Sequence, residues 1–516
     1  MDLCISTNSR RQSTGRVGQG TISGESQQQR YAPFSCYAYW LVNNVDNSHR
    51  TALIHVLDDD SLLHVFYLYQ PLFRDEDGSA DWRNKGRWWY TLAHVCRRWR
   101  NIILGSATYL GLSLHCTYGT PVAEMLAHSP PLPLVVGYFL KARELTTEDE
   151  EGIILALKQH DRVRRVRLHN VVTIMQQLSV VMDEEYPILE FLYISRQIED
   201  KSTISRFPDS FQAPHLRYLS LAGFAFPIGC RLLTTAVGLV CLHLDMVHPS
   251  TYFHPNTLIQ WISLMPHLET LTINFLLPVP NREVERQLMH TPIIAPITLP
   301  NLHYFRFQGV STYLEALVHR FTAPRLEKLN LNFYGQLTVF APHLLQFIAA
   351  AENLRSGEVL LLFSDKSASV GVYPNGLTTG KEYSLVIFVQ YCHLGWQISS
   401  MTQIFDSLSQ MFSAVERLYF RHDVHSESSE EHDEVDHTEW RKLFRPFSNV
   451  KTLHVRKGLV NGLSRCLGLE DGESPLELLP ELHELEYYGS DDIRNAFTSF
   501  IDARRKAGRP VTIVRR

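Results

Sequence analysis

From about residue 132 onward the apolar positions recur in one rhythm: a hydrophobic residue, two variable ones, a second hydrophobic, one variable, a third hydrophobic. It reads VRRVRL from Val163, LEFLYI from Leu189, LRYLSL from Leu216, LVCLHL from Leu239 and LETLTI from Leu268. LHYFRF from Leu302 and LEKLNL from Leu326 follow, then VERLYF from Val415, VKTLHV from Val450 and LHELEY from Leu482. Successive starts lie 23 to 35 residues apart, except for a gap of 89 between Leu326 and Val415. That gap holds three intervals of about thirty residues, with AENLRSGEVLLLF and YSLVIFV as degraded copies. The alternation at the end of each unit predicts a short strand whose apolar side chains point inward and whose intervening residues point out. Many copies follow a proline, as in YPILE, APHLR, MPHLE, LPNLH, APRLE and LPELH. Proline there stops the preceding element and turns the chain into the strand. NTLIQWISLM (Asn256 to Met265) and STYLEALVHRF (Ser311 to Phe321) have helical spacing and capping residues at their starts. One such strand–helix unit is too small to be stable alone, but parallel stacking gives all of them one continuous core.

Upstream the pattern differs. LDDDSLLHVFYLY (Leu57 to Tyr69) places Leu62, Leu63, Phe66 and Tyr69 on one helical face, behind Asp58, Asp59, Asp60 and Ser61 as N-cap candidates. WWYTLAHVCRRWRNII (Trp88 to Ile103) reads as a second helix, with Leu92, Val95, Cys96, Trp99 and Ile102 on one face and Arg97, Arg98 and Arg100 opposite. Two helices this short cannot bury their apolar faces alone, so they need a partner. Residues 71 to 87 between them, rich in proline, glycine and mixed charge, read as a solvated loop. ATYLGLSLHC ends in strand-like alternation, and SPPLPL marks a break before the repeats. Residues 1 to 48, dominated by Ser, Gln, Gly and Thr, are expected to be disordered, with YAPFSCYAYWLV as a more apolar patch.

Composition narrows the function. Forty-nine basic against 54 acidic residues give a net charge of −5, which offers no footprint for nucleic acid. No apolar run approaches the ~18 residues of a membrane span. The eight cysteines stand apart, with no CxxC pair, and read as reduced thiols in a cytoplasmic or nuclear protein. No G-x-S-x-G, P-loop, H-E-x-x-H or glycine-rich dinucleotide turn is present, so no enzyme activity and no cofactor are expected. The insertion HDVHSESSEEHDEVDHTEW (422 to 440) combines acids with four histidines, but without fixed spacing, and is read as a solvated loop rather than a metal site.

The repeat rhythm is that of irregular leucine-rich repeats. Leu57 to Ile103 resembles an F-box, carried by LDDDSLLHVF (Leu57 to Phe66) and LAHVCRRWR (Leu92 to Arg100); Asp58 stands where that family has proline. The chain as a whole is similar to the F-box proteins with degenerate leucine-rich repeats of mushroom-forming fungi. This resemblance implies an α/β chain: a small all-helical F-box at 50 to 110, then an irregular repeat solenoid, a horseshoe with a parallel sheet, over 132 to 516. It implies a substrate-recognition subunit that docks on a Skp-type adaptor, and through it on a cullin-RING ubiquitin ligase, while the repeats hold an unknown protein target. Leu57, Leu62, Leu63, Phe66, Val95, Cys96 and Trp99 are the residues expected to form or support the adaptor interface. The outward strand positions expected to meet the target are Arg165, Arg167, Tyr193, Tyr218, Thr272, Asn274, Tyr304, Arg306, Asn330 and Tyr419. The alternative is a leucine-rich interaction scaffold whose F-box no longer recruits a ligase.

Overall fold

The computed structural model describes residues 57–70, 88–139, 144–196, 205–225, 230–247, 253–276, 296–334, 342–354, 357–364, 366–374, 382–390, 393–423, 437–456, 459–468, 474, 476–488 and 495–516. Residues 1 to 48, the loop 71 to 87 and residues 424 to 436 of the acidic insertion lie outside them. Two compact units are distinguished, Met1–Val65 and Phe66–Arg516.

In the first unit, Asp58 opens the helix Asp59–Tyr69. Its Oδ1 accepts from the Ser61 amide at 2.7 Å and its carbonyl from Leu62 N at 3.1 Å. An aspartate cap thus starts this helix.

The second unit contains the strands. They are β1 (Leu114–Thr117), β2 (Leu134–Tyr138), β3 (Val163–His169), β4 (Phe191–Ser195), β5 (Ser205–Arg206), β6 (Tyr218–Ala222) and β7 (Phe224–Ala225). Next come β8 (Cys241–Val247), β9 (Thr270–Phe275), β10 (Ile297–Thr298), β11 (Tyr304–Gly309), β12 (Phe321–Thr322) and β13 (Lys328–Tyr334). The last are β14 (Glu358–Ser364), β15 (Ser367–Tyr373), β16 (Leu385–Gln390), β17 (Arg417–Asp423), β18 (Thr452–Arg456), β19 (Glu484–Tyr488) and β20 (Thr512–Arg515). Sixteen of them form one sheet in the order β1-β2-β3-β4-β6-β8-β9-β11-β13-β16-β15-β14-β17-β18-β19-β20, while β5–β7 and β10–β12 are small parallel pairs. The fold is therefore mixed α/β, with one long and mostly parallel sheet, as repeat stacking requires.

The backbone repeats as the sequence does. The first leucine of each unit donates its amide three residues back, as Leu189 to Tyr186, Leu216 to Ala213, Leu268 to Met265 and Leu326 to Ala323. The two residues entering a strand then share one carbonyl of the preceding unit: Arg217 and Tyr218 bond to Glu190, Val240 and Cys241 to Arg217, Glu269 and Thr270 to Val240. His303 and Tyr304 bond in the same way to Glu269, and Glu327 and Lys328 to His303. The ladder resumes beyond the 89-residue gap, where Lys451 and Thr452 bond to Glu416, and His483 and Glu484 to Lys451.

The inward face is dry. Leu192, Leu219, Leu242, Leu271, Phe305 and Leu329 stand in register across neighbouring strands, and all are buried. Ile194, Leu221, Leu244, Ile273, Phe307 and Leu331 form a second such row. Each fully buried side chain of this size stabilises the fold by about 1.5–3 kcal/mol relative to exposure.

Several expectations need correction. The segment Trp88 to Ile103 is two helices, Trp88–Ala93 and Arg97–Gly105, broken at an extended Cys96 with φ −159° and ψ 169°. His94, β-branched Val95 and Cys96 are poor helix formers, and the Cys96 carbonyl starts the next helix by accepting from Arg100 N at 3.1 Å. The helix expected over Ser311 to Phe321 ends at Val318, and Phe321 enters β12. The sheet begins at β1, ahead of residue 132, because LSLHCT alternates without the upstream leucine that marks later units. The ends of the insertion 422 to 440 are structured: His422 and Asp423 finish β17, and Trp440 is buried in the helix His437–Phe444.

The long gap holds the main departure from an all-parallel sheet. β14, β15 and β16 form an antiparallel meander, inserted in reverse, so that β16 pairs with β13 and β14 with β17. β14 and β16 thereby run parallel to their outer neighbours, and β15 alone in this sheet runs against them. The helix Leu394–Ser407 packs beneath all three.

Candidate interaction surfaces

Two surfaces of the second unit present side chains that its own fold does not consume. The first lies on the short helices. Tyr67, Leu68 and Tyr69 are exposed at 46%, 69% and 60%, and Val95 at 58%. Tyr67 faces Tyr109 with ring centroids 5.4 Å apart, and Tyr69 faces Trp88 at 6.4 Å. Beneath them Phe66 is buried and meets Trp99 edge-on at 4.9 Å. Arg100 Nε donates to the Ala93 carbonyl at 3.1 Å, tying the two helices across the Cys96 break.

The residues expected at the adaptor interface thus fall into two groups. Phe66 is buried against Trp99, which is half-buried, as is Cys96, whereas Val95 projects. In the first unit Leu62 is buried, Leu63 half-buried and Leu57 exposed.

The second surface is the outward face of the sheet. One row runs in register through Arg167, Tyr193, Ser220, His243, Thr272, Arg306 and Asn330. It continues through Val386, Gly371, Leu360, Tyr419, His454 and Glu486. Arg165, Phe191, Tyr218, Cys241, Thr270, Tyr304 and Lys328 make the neighbouring row. All ten expected target-facing residues are therefore on one face, in strands β3 to β17. Thr272 differs from the others in being buried.

The local geometry along this face is specific. The Arg167 guanidinium lies 3.9 Å over the Phe139 ring and 5.7 Å from the Tyr193 ring, held by cation–π attraction. Phe191 and Tyr218 stack at 4.3 Å and 7°. At the end of β8 the ladder shifts between Leu244 and Val247, and Met246 takes φ +52°. This bulge sets Asp245 to accept from the Asn274 side chain. Burial pushes the His243 pKa below its usual value; Asp245 opposes that and Arg306 adds to it. Further along, Tyr419 stacks on His454 at 3.9 Å and 7°, and His454 Nδ1 lies 2.9 Å from Glu486 Oε2. Arg516 clamps the buried Glu486 with both arms, at 2.8 and 2.9 Å, and that bonding holds the Glu486 carboxyl below its usual range. Glu358 pairs with Arg417. Among the described residues, no three potential metal ligands gather, and no helix is long and apolar enough to cross a membrane.

No family model and no curated protein matches this chain. Among solved structures, the leucine-rich repeat-containing protein LegL7 from Legionella pneumophila aligns at 9% identity with a TM-score of 0.26. That alignment covers 75% of this chain and 97% of LegL7. So loose a superposition carries nothing about function, and the repeat architecture rests on this chain's own sheet and ladder.

Sequence reasoning missed the meander's part of the outward face, where Leu360, Leu362, Val386 and Phe388 sit half-buried. The signal was present in VLLLF (Val359 to Phe363) and LVIFV (Leu385 to Val389), which are apolar at every position instead of at alternate ones. It also missed His243, His454 and the Arg516 clamp. The two histidines follow from extending the repeat register, but Arg516 joins Glu486 only through the pairing of β19 with β20.

Proposed function

We propose that this chain is a non-catalytic substrate receptor of a Skp-cullin-F-box type ubiquitin ligase. In this reading the helices between Asp59 and Gly105 dock on the Skp-type adaptor, and the outward face of the sheet holds a protein target. One observation carries it: three short helices leave Tyr67, Leu68, Tyr69 and Val95 exposed, over a contact between buried Phe66 and half-buried Trp99. Exposed apolar side chains grouped on a well-packed base suit a protein partner. The receptor works by effective concentration, since a target held on the sheet keeps its lysines near the conjugating machinery brought by the adaptor. In the second unit Phe66 and Trp99 would support the interface from within while Val95 and Leu68 would meet the adaptor; in the first unit Leu57 and Leu63 would add contacts of their own. A cytoplasmic or nuclear setting fits this role.

The test is complex formation between the full chain and a purified Skp-type adaptor. A stoichiometric complex is expected, and Leu68→Asp with Val95→Asp should abolish it, because both side chains are exposed and the fold survives their change. A double variant that binds unchanged removes this interface.

The alternative, a leucine-rich interaction scaffold that recruits no ligase, is favoured by Asp58, which replaces the family's proline. It predicts no complex with the adaptor but retains target binding on the sheet.

A further inference from the structure

The outward face between β3 and β11 has an electrostatic imbalance. In the described residues of these strands, Arg165, Arg167 and Arg306 face outward against one carboxylate, Asp245, which accepts from Asn274. Among the described residues, Arg167 and Arg306 have no acidic partner, and the Nε of each is buried without a hydrogen bond. A half-buried guanidinium without a counter-ion gains charge-assisted hydrogen bonds from an incoming anion at its accessible N–H groups. This holds in a chain of net charge −5, so the arrangement is local to this face.

The two arginines also belong to one row. From Arg167 the register passes Tyr193, Ser220, His243 and Thr272 to Arg306. Five strand steps of about 4.8 Å separate them by about 24 Å, which an extended chain at about 3.3 Å per residue covers in about seven residues. Between them Ser220 and Thr272 are small and buried, and Tyr193, Tyr218 and His243 offer ring surface, with Tyr218 and His243 5.5 Å apart. Arg167 is held flat on Phe139 and so loses little freedom on binding.

We propose that this face binds an extended acidic peptide carrying two aspartate or glutamate clusters about seven residues apart, one at Arg167 and one at Arg306. The proposal rests on the reading of the sheet as a target-binding surface and specifies the class of target. Small or aromatic residues between the clusters would lie along the Ser220–Thr272 floor.

Fluorescein-labelled synthetic peptides and the full chain test this by anisotropy. One peptide carries two aspartate pairs about seven residues apart, a second places the pairs side by side, and a third has asparagine at every aspartate. The spaced peptide should bind at least roughly tenfold tighter than either control, with an affinity that falls as salt rises. Arg167→Gln and Arg306→Gln should each weaken it roughly tenfold, while the same peptide with adjacent pairs should respond little to loss of the second arginine. Equal binding of spaced and adjacent pairs, or indifference to both substitutions, overturns the proposal. Tighter binding of a single-stranded oligonucleotide through the same arginines also overturns it. A photo-crosslinker placed at Tyr304 separates this failure from that of the parent reading. If it captures a target whose contact segment is not acidic, the peptide proposal falls and the target-binding surface stands; if nothing is captured and no peptide binds, both fall.

Discussion

Asp149 shows how one carboxylate can join two parts of the chain. Its Oδ2 accepts from Thr146 N at 3.2 Å and from the Thr146 hydroxyl at 3.0 Å, completing a capping box on the helix Thr147–Leu157. Its Oδ1 accepts from Gly119 N at 2.8 Å, where Gly119 holds φ +68°. Asp149→Ala removes the reciprocal arm of the capping box, leaving the Thr146 cap in place, and leaves the Gly119 amide unpaired, so a loss of about 1–3 kcal/mol is expected from guanidinium unfolding. A change near zero would show that the turn re-satisfies itself. Gly309 makes a second point: a Cβ there would sit 2.9 Å from both the Phe275 and Phe307 rings. Gly309→Ala should therefore cost about 1–3 kcal/mol by overpacking, in spite of the usual gain in strand stiffness. The outward positions were legible from the L-x-x-L-x-L period, because strand alternation alone fixes which side a residue faces. Gly309 was not, since its constraint comes from aromatic neighbours on its own and the adjoining strand.

The repeat strands were equally legible where a proline or helix end precedes a leucine, as at Leu216 and Leu326. The meander was not. EVLLLF and YSLVIFV read as two further repeats, but nothing local says that β15 lies between them and reverses their order. SASVGVY, with its three small residues before valine, gave no strong strand signal either; β15 is a strand because it is paired on both sides. That placement makes it a keystone. Val370 stands opposite Leu361 on one side and Ile387 on the other, so proline there interrupts ladders to both neighbours. Val370→Pro should split unfolding into two transitions in calorimetry, with amides of β1 to β13 exchanging independently of those of β17 to β20. A single cooperative transition would mean that the helix Leu394–Ser407 bridges the halves by itself. The same distinction explains the helices: amphipathic spacing located Trp88 to Ile103, but Cys96's extended backbone is a matter of how the two halves pack.

At the scale of the whole molecule, three partly or fully buried histidines should weaken the fold in acid. Burial pushes the pKa of His243, His254 and His454 below the usual value. The unfolded chain takes up protons at these sites near pH ~6.5, whereas the folded chain resists until lower pH. Their contribution is thus full above ~6.5 and is lost as pH falls through the folded values. Glu486, held below the usual range first by Arg516, adds stability that disappears only at still lower pH. The melting temperature should fall between pH 7 and 5, and His243→Gln with His454→Gln should flatten that slope; an unchanged slope places the titrating groups elsewhere. In the proposed receptor, recognition by the sheet and docking by the short helices would use different residues. Hydrogen exchange on the full chain, with and without a bound Skp-type adaptor, separates them in one measurement. A receptor should gain protection over residues 59 to 69 and 88 to 105, while the outward strands from β3 to β17 exchange as before. No complex, or protection confined to those strands, would contradict the receptor role.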